Sequence, residues 1–399
     1  MPKEKPDALG RDFRQVLSGI LSTVVEQSQA LNQNRPDWVR YWPGGVLAIR
    51  EAVAVVTMQQ VADHAKVSIS TVSFVVNDTK PVTPETRERV LRAIDELGYR
   101  RNSMARALAS RKSRVIALIY PLLDHRHHHS FVDAAATAAE ERGYSLVLWP
   151  IHSDNVSAEI ASLIQAGFAD GVLLMEVQLE DERVTHLQRA GAPFALIGRT
   201  RDLDGIDYVD IDFERSVEQA VEDFDALGHR NISLIIEDLS ATPLAGYAPP
   251  VRAVQAFEEA IASRGLNGAL FRVSHERASI LSITDEIARK APETTAVIGM
   301  HDDATFALVN GLRHRGVRVP QDVSIAGIAS STSLATLTDP ALSTYDAPGS
   351  ELGRLATEAL IDRLEGRDAP PTQVRIACTL VPGASTGPAP VGRPPLTAV

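Results

Sequence analysis

Apolar positions along the 399 residues change their period twice, and the two changes divide the chain. Residues 1–56 sustain no period: Pro36, Pro43 and Gly44-Gly45 interrupt it, and at most one helix fits, over 13–31. They read either as a disordered leader, with translation beginning instead near 53–58, or as a partner-binding helix. At Thr57 a helical period begins. Val61, Ala62 and Ala65 form one stripe, which predicts a helix over 58–65 with Thr57 as its N-cap. Lys66-Val67 reads as a turn, and Ser68 as the cap of a second helix running to 76. Asn77-Asp78-Thr79-Lys80-Pro81 reads as a loop, and Thr83 then caps a third helix with Pro84 at its first position and Gly98 at its end. Three short helices at this spacing make a helix-turn-helix, whose second helix enters the major groove of DNA.

From Arg114 the period changes again. Short β-branched runs at 115–120, 146–149, 171–175, 194–198, 232–236, 296–300 and 323–328 alternate with amphipathic segments, among them 131–142, 213–227, 304–315 and 351–364. Such alternation predicts parallel sheets with helices on both faces. The stretch 113–386 is too long for one such sheet, so two α/β lobes are expected, with a cleft at the strand C-termini. The fold class is therefore α/β: an all-α head on a two-lobed body. The Pro/Gly-rich residues 387–399 read as a disordered tail.

Charge changes the picture. The net charge is −11, which by itself argues against nucleic acid. Residues 57–113, however, carry ten Lys/Arg against six Asp/Glu (+4), and residues 1–56 seven against six (+1). The remainder therefore holds −16. A small basic module on an acidic body can grip phosphates while the body is repelled from them. On the second helix, Ser70, Thr71 and Ser73 offer hydroxyls to base edges or phosphates, and Ile69 offers an apolar contact to a thymine methyl. The plainer alternative is that Ser70 and Thr71 only cap and solvate the helix.

No apolar run approaches the roughly 18 residues of a membrane span, and no basic segment with an apolar run opens the chain, so neither a membrane nor export is expected. One cysteine, Cys378, excludes an internal disulfide framework and fits a reducing cytoplasm. It lies in the apolar run 374–381 and reads as a buried packing residue. No catalytic residue, metal ligand set or cofactor is expected. His125-Arg126-His127-His128-His129 follows the first strand; adjacent histidines point apart, and the run reads as a solvated loop, an anion or effector contact, or less readily a metal site.

The head resembles the DNA-binding signature of the lactose/galactose repressor family. The resemblance runs through Thr57-Met58-Gln59-Gln60-Val61-Ala62, Val67-Ser68-Ile69-Ser70-Thr71-Val72-Ser73, Val76-Asn77, Val82-Thr83-Pro84-Glu85-Thr86-Arg87, Glu96-Leu97-Gly98-Tyr99 and Asn102-Ser103-Met104-Ala105-Arg106-Ala107-Leu108. It implies DNA contacts from Thr57, Ser68, Ile69, Ser70, Thr71, Ser73, Phe74, Asn77 and Arg101. It also implies a hinge helix over 101–112 that folds on operator DNA, with Asn102 at its start, Ala105 at its dimer contact and Leu108 wedged between central base pairs. Three positions depart from the family pattern. Lys66 stands where Gly is usual, so a side chain at positive φ is expected, at a cost of about 1 kcal/mol. Phe74 replaces a base-reading Arg or His and cannot donate to guanine. Arg101 replaces a Pro and adds a phosphate contact.

The resemblance extends over residues 57–386, through Leu227-Gly228-His229-Arg230, Gly316-Val317-Arg318-Val319-Pro320, Asp339-Pro340-Ala341-Leu342 and Ala384-Ser385-Thr386. It implies a periplasmic-binding-protein-like body: two lobes joined by three crossings, a small-molecule effector (a sugar or other metabolite) in the cleft, and a homodimer on double-stranded operator DNA. By position, Arg252 is the implied effector-contacting arginine, with a structural ion pair as its alternative. Phe131, Arg199, His301 and Asp302 are further candidates, though Asp302 or Asp303 reads as the cap of the next helix rather than as a ligand contact. Ala329 and Gly383 occupy places where the family carries an effector-binding Asp and an Arg, which puts a typical sugar site in doubt. The expected function is an effector-controlled repressor. The alternative is a regulator with lost or altered effector response, acting as an activator or constitutive repressor. An enzyme or transport protein on the same fold would need a nucleophile elbow, phosphate loop, metal triad or export signal, and none is recognisable here.

Overall fold

The computed structural model describes residues 56–77, 80–99, 112–121, 129–151, 156–242, 244–330, 332–392 and 396. The leader reading for 1–55, the hinge assignments at Arg101, Asn102, Ala105 and Leu108, and the greater part of the histidine run lie outside these residues. The chain divides into two units, residues 1–101 and 102–399.

In the first unit, α1 (Met58–Ala65), α2 (Ile69–Asn77) and α3 (Pro84–Leu97) pack on a small core of Val61, Ala62, Ala65, Val72, Val75, Val76, Val90, Ala93 and Tyr99. Thr57 starts α1 through a capping box: the Gln60 amide donates to Thr57 Oγ1 (3.3 Å), and the Thr57 amide to Gln60 Oε1 (2.8 Å). Lys66 ends it in the left-handed conformation, φ 53°, as its place in the turn requires. Thr83 caps α3, and Gly98, φ 63°, terminates it.

The second unit holds two six-stranded sheets. Lobe 1 contains β1 (Val115–Pro121), α4 (His129–Glu141), β2 (Ser145–Ile151), α5 (Val156–Gln165), β3 (Gly171–Leu174), α6 (Glu182–Ala190), β4 (Phe194–Ile197) and β5 (Tyr208–Ile211). The chain crosses into lobe 2 with α7 (Phe213–Ala226), β6 (Asn231–Glu237), α8 (Ala248–Arg264), β7 (Asn267–Val273), α9 (Arg277–Lys290), β8 (Ala296–Gly299), α10 (Asp302–His314), β9 (Ser324–Ile328), α11 (Thr332–Ala335) and β10 (Ser343–Asp346). It returns as α12 (Gly349–Leu364), packed on α4, and β11 (Gln373–Ile376), then crosses a third time to β12 (Thr379–Val381). Sheet orders are β11-β5-β4-β3-β1-β2 and β12-β10-β9-β8-β6-β7, parallel except where β12 runs against β10. Three crossings and two parallel lobes match the expectation, and both sheets turn their strand C-termini toward the space between them.

Two expectations fail here. Residues 387–392 and 396 of the tail are laid on lobe 2. Ala389 N donates to the Leu227 carbonyl and Leu396 N to that of Pro292, each at 2.9 Å, while the Leu396 side chain, 6% exposed, joins the lobe's core. Proline supplies no backbone donor, but the residues between the prolines do, and one leucine suffices to anchor the strap. Cys378 is half-buried rather than buried; it packs against the main core, and burial pushes its thiol up to about 11.

Candidate nucleic-acid interface and effector cleft

At the start of α2 the hydroxyls of Ser68, Ser70 and Thr71 meet. Ser68 Oγ accepts from the Thr71 amide (3.1 Å) and lies 2.8 Å from both Ser70 Oγ and Thr71 Oγ1. Ser68 is thus the cap, and Ser70 stands exposed beside it. Ile69 is 48% exposed, outside the head core that holds Val72, Val75 and Val76. Thr57 is exposed at the N-cap of α1, Thr71 and Ser73 are half-buried, and Asn77 is the last residue of α2. Phe74 is half-buried, and Lys80 Nζ lies 5.0 Å from its ring centroid, a cation–π arrangement. In the sequence Lys80 stands only within a loop, and its link to Phe74 spans six residues with no periodic signature.

Between the lobes lies a cavity of about 140 Å³. Of the expected effector residues, Phe131, Arg199 and Asp302 line it, while Arg252 and His301 do not. Glu176, Asp210, Glu237 and Tyr247 line it as well, together with Met175, Phe213, Met300 and Ala329. At one edge the lobes are already stitched: Leu179 N donates to the Gly246 carbonyl (3.1 Å) and Ala248 N to that of Val177 (3.2 Å).

Arg252 reaches from α8 of lobe 2 into lobe 1. Its Nη2 donates to the carbonyls of Arg199 (3.0 Å) and Thr200 (3.1 Å), and Nη1 lies 3.4 Å from Asp210 Oδ2. Arg199 Nε donates to the same Asp210 oxygen at 2.8 Å, and its Nη2 to Glu214 at 2.5 Å. The alternative reading of Arg252, a structural ion pair, is what this geometry displays, because the guanidinium is consumed by lobe 1. Burial pushes the Asp210 carboxyl up to about 6 although Arg199 and Arg252 pull it down. It remains ionised at neutral pH. The only advance sign of Asp210 is an acid inside the buried run of β5.

Asp302 is the first residue of α10 and His301 its N-cap, so Asp302 does not take the cap position foreseen for it. It accepts from Ser330 Oγ (2.6 Å) and faces the cavity. His301 turns away among Glu237 and His275, where burial first and His275 second push its imidazole down to about 4. Ala329 sits at φ 51° on the cavity wall, and its methyl offers no acceptor. A Cβ at Gly383 would stand 2.4 Å from the backbone carbon of Leu342, so no side chain fits at that position.

Residues 57–102 match the model of "Bacterial regulatory proteins, lacI family", and residues 221–386 that of a periplasmic binding protein-like domain. The HTH-type transcriptional regulator CelR of Thermobifida fusca is 31% identical over 330 residues, covering 80% of this chain and 94% of its own. Catabolite control protein A of Priestia megaterium is 28% identical over 311 residues, covering 76% and 91%. Among solved structures, a CelR–cellobiose complex superposes with a TM-score of 0.62 at 28% identity, over 83% of this chain and 99% of that one. The Lac repressor dimer bound to operator and the anti-inducer ONPF shares the fold, with a TM-score of 0.73 at 24% identity and the same coverage.

Proposed function

The chain belongs to the lacI family of bacterial regulatory proteins, and on that premise we propose that it is a repressor released from its operator by a small, donor-bearing metabolite. It is a sequence-specific DNA-binding regulator with an effector-binding C-terminal domain. The observation that carries the finer reading is the composition of the cavity wall. Among the described residues, Glu176, Asp210, Glu237 and Asp302 bring four carboxylates against one arginine, Arg199, which Asp210 and Glu214 already neutralise. Such a wall accepts hydrogen bonds and repels anions, and Phe131, Phe213 and Tyr247 offer rings beside it. A hydroxylated or cationic metabolite meets both demands. A small sugar does so too, in keeping with the cellobiose named for the CelR complex.

On the DNA side, Ile69 and Ser70 read bases from α2, while Ser68 and Thr71 set the helix start against phosphate. Lys80, carried on the Phe74 ring, supplies a cation where the family more often uses an arginine or histidine. One such helix reads too few bases for useful specificity, so the protein acts as a homodimer on a pseudo-palindromic site. A regulator that must reach operator DNA acts in the cytoplasm.

Screening the full chain against neutral, cationic and anionic metabolites by thermal shift tests this reading. Stabilisation by a neutral or cationic compound that also frees bound DNA supports it. Selective stabilisation by anions contradicts the wall argument. No responder in any class favours a regulator without effector control, a reading that Ala329 and Gly383 keep in view.

A further inference from the structure

Beside the cleft, β7, β6 and β8 are neighbours in the lobe 2 sheet, and their C-terminal ends bring three ligand-bearing side chains together. Glu237 is the last residue of β6, His275 follows β7, and His301 follows β8 as the N-cap of α10. One ligand atom from each lies within 4.8 Å of the others, and among the described residues no other trio of histidine, cysteine or carboxylate side chains does so. The two imidazoles are 5.0 Å apart between centroids, and His275 Nε2 is 3.9 Å from Glu237 Oε1.

His301 supplies the second, independent observation. The residue is 2% exposed, and its Nε2 is a buried polar atom without a hydrogen-bond partner. Leaving such an atom buried and unsatisfied is unfavourable, so a folded chain that does so invites a ligand there. A buried imidazole nitrogen without a partner, beside a second imidazole and a carboxylate, is what a metal ion takes.

We propose that Glu237, His275 and His301 form a binding site for a divalent transition-metal ion of the zinc class. Two imidazoles and a carboxylate suit zinc in both softness and number, and leave a fourth position for water or an effector oxygen. Tetrahedral zinc sets its donors roughly 3.3 Å apart at bond lengths near 2.0 Å. Drawing atoms now within 4.8 Å to that spacing takes modest movement, which half-exposed His275 on its loop can supply. A cation at the start of α10 opposes the helix dipole; Asp302 and Asp303 in the first turn provide the countercharge. Glu237 also lines the cavity, so an ion here would reduce the negative charge of the effector wall. No metal site was expected from the sequence, because the three residues are 38 and 26 positions apart and no local motif joins them.

Calorimetric titration of the chelator-stripped full chain with Zn²⁺ tests the site against its own variants. The chain has eleven histidines, so the comparison, not the raw uptake, carries the result. Wild type should bind one more equivalent than His275→Ala, or bind that equivalent at least tenfold more tightly, and Glu237→Gln should weaken it in the same direction. Co²⁺ in place of zinc should give the visible bands of a low-symmetry tetrahedral or five-coordinate centre in wild type and not in His275→Ala. Because His275 is 41% exposed at its side chain, that variant should fold; His301→Asn, whose site is buried, serves as a second check. Equal stoichiometry and affinity in wild type and His275→Ala, including no binding by either, would overturn the proposal without touching the DNA-binding reading.

Discussion

Arg252 Nη1 stands 3.4 Å from Asp210 Oδ2, and that pair spans the two lobes of the body. The guanidinium comes from α8 of lobe 2, the carboxylate from β5 of lobe 1, and Arg199 holds the same oxygen from the other side. Of the latch residues, Arg199 and Asp210 line the cavity wall and Arg252 does not.

Removing Arg252 should cost stability before it costs ligand contact. Arg252→Ala deprives two backbone carbonyls and Asp210 of a buried donor, while Arg199 still covers Asp210. The expected loss is about 3 kcal/mol, at the low end for breaking a buried pair. Urea unfolding of the full chain measures it. A variant as stable as wild type that no longer responds to effector would return Arg252 to the role of direct ligand contact.

Asp210 gives a pH signature with a definite sign. Its carboxyl is raised from an ordinary 3.8 to about 6, so the folded state holds the proton more tightly than the unfolded chain. The resulting stabilisation is complete below about pH 4 and is lost as pH rises through 6. Relative to Asp210→Asn, wild-type stability should fall by about 3 kcal/mol across that window. A difference that is flat or grows with pH would mean that Arg199 and Arg252 outweigh burial.

Both the two-lobed body and the helix-turn-helix were legible in the sequence, for different reasons. The strands found in advance, such as those at 115–120 and 232–236, are largely apolar runs, the second broken only by Ser233, and are buried over 116–119 and 232–236. Among the five described strands not foreseen, three show why. β5 carries the buried Asp210, which interrupts its run. β7 is an edge strand opening with Asn267-Gly268, a turn signal in other settings. β10 is polar yet buried: the Ser343 amide donates to Ser385 Oγ (2.8 Å) and its hydroxyl pairs with Thr386 (2.9 Å), partners over 40 residues away. In the site, Phe131, Arg199 and Asp302 were found through family position, whereas Glu176, Glu237 and Tyr247 reach the cavity only by folding. Arg252 misled because position along α8 does not reveal which lobe its guanidinium enters.

The C-terminal strap is a structural part of lobe 2. Ending the chain after Gly387 keeps the acceptor that buried His229 Nε2 uses (3.0 Å) but removes Leu396 from the core. Loss of about 2 kcal/mol is expected, the scale of one buried leucine. Thermal melting of the truncated and full chains decides it; identical melting would restore the disordered tail.

Selection from a random duplex pool tests the central claim, that α2 reads sequence for an effector-controlled regulator. Wild-type protein should enrich one inverted repeat. Ile69→Ala with Ser70→Ala should lose at least about 4 kcal/mol on that repeat, because it removes two base contacts in each half-site at about 1–3 kcal/mol apiece. Its affinity for random DNA, and the salt slope of that affinity, should stay near wild type because Lys and Arg set both. No enriched motif, or a motif the double variant binds as tightly as wild type, would contradict the account.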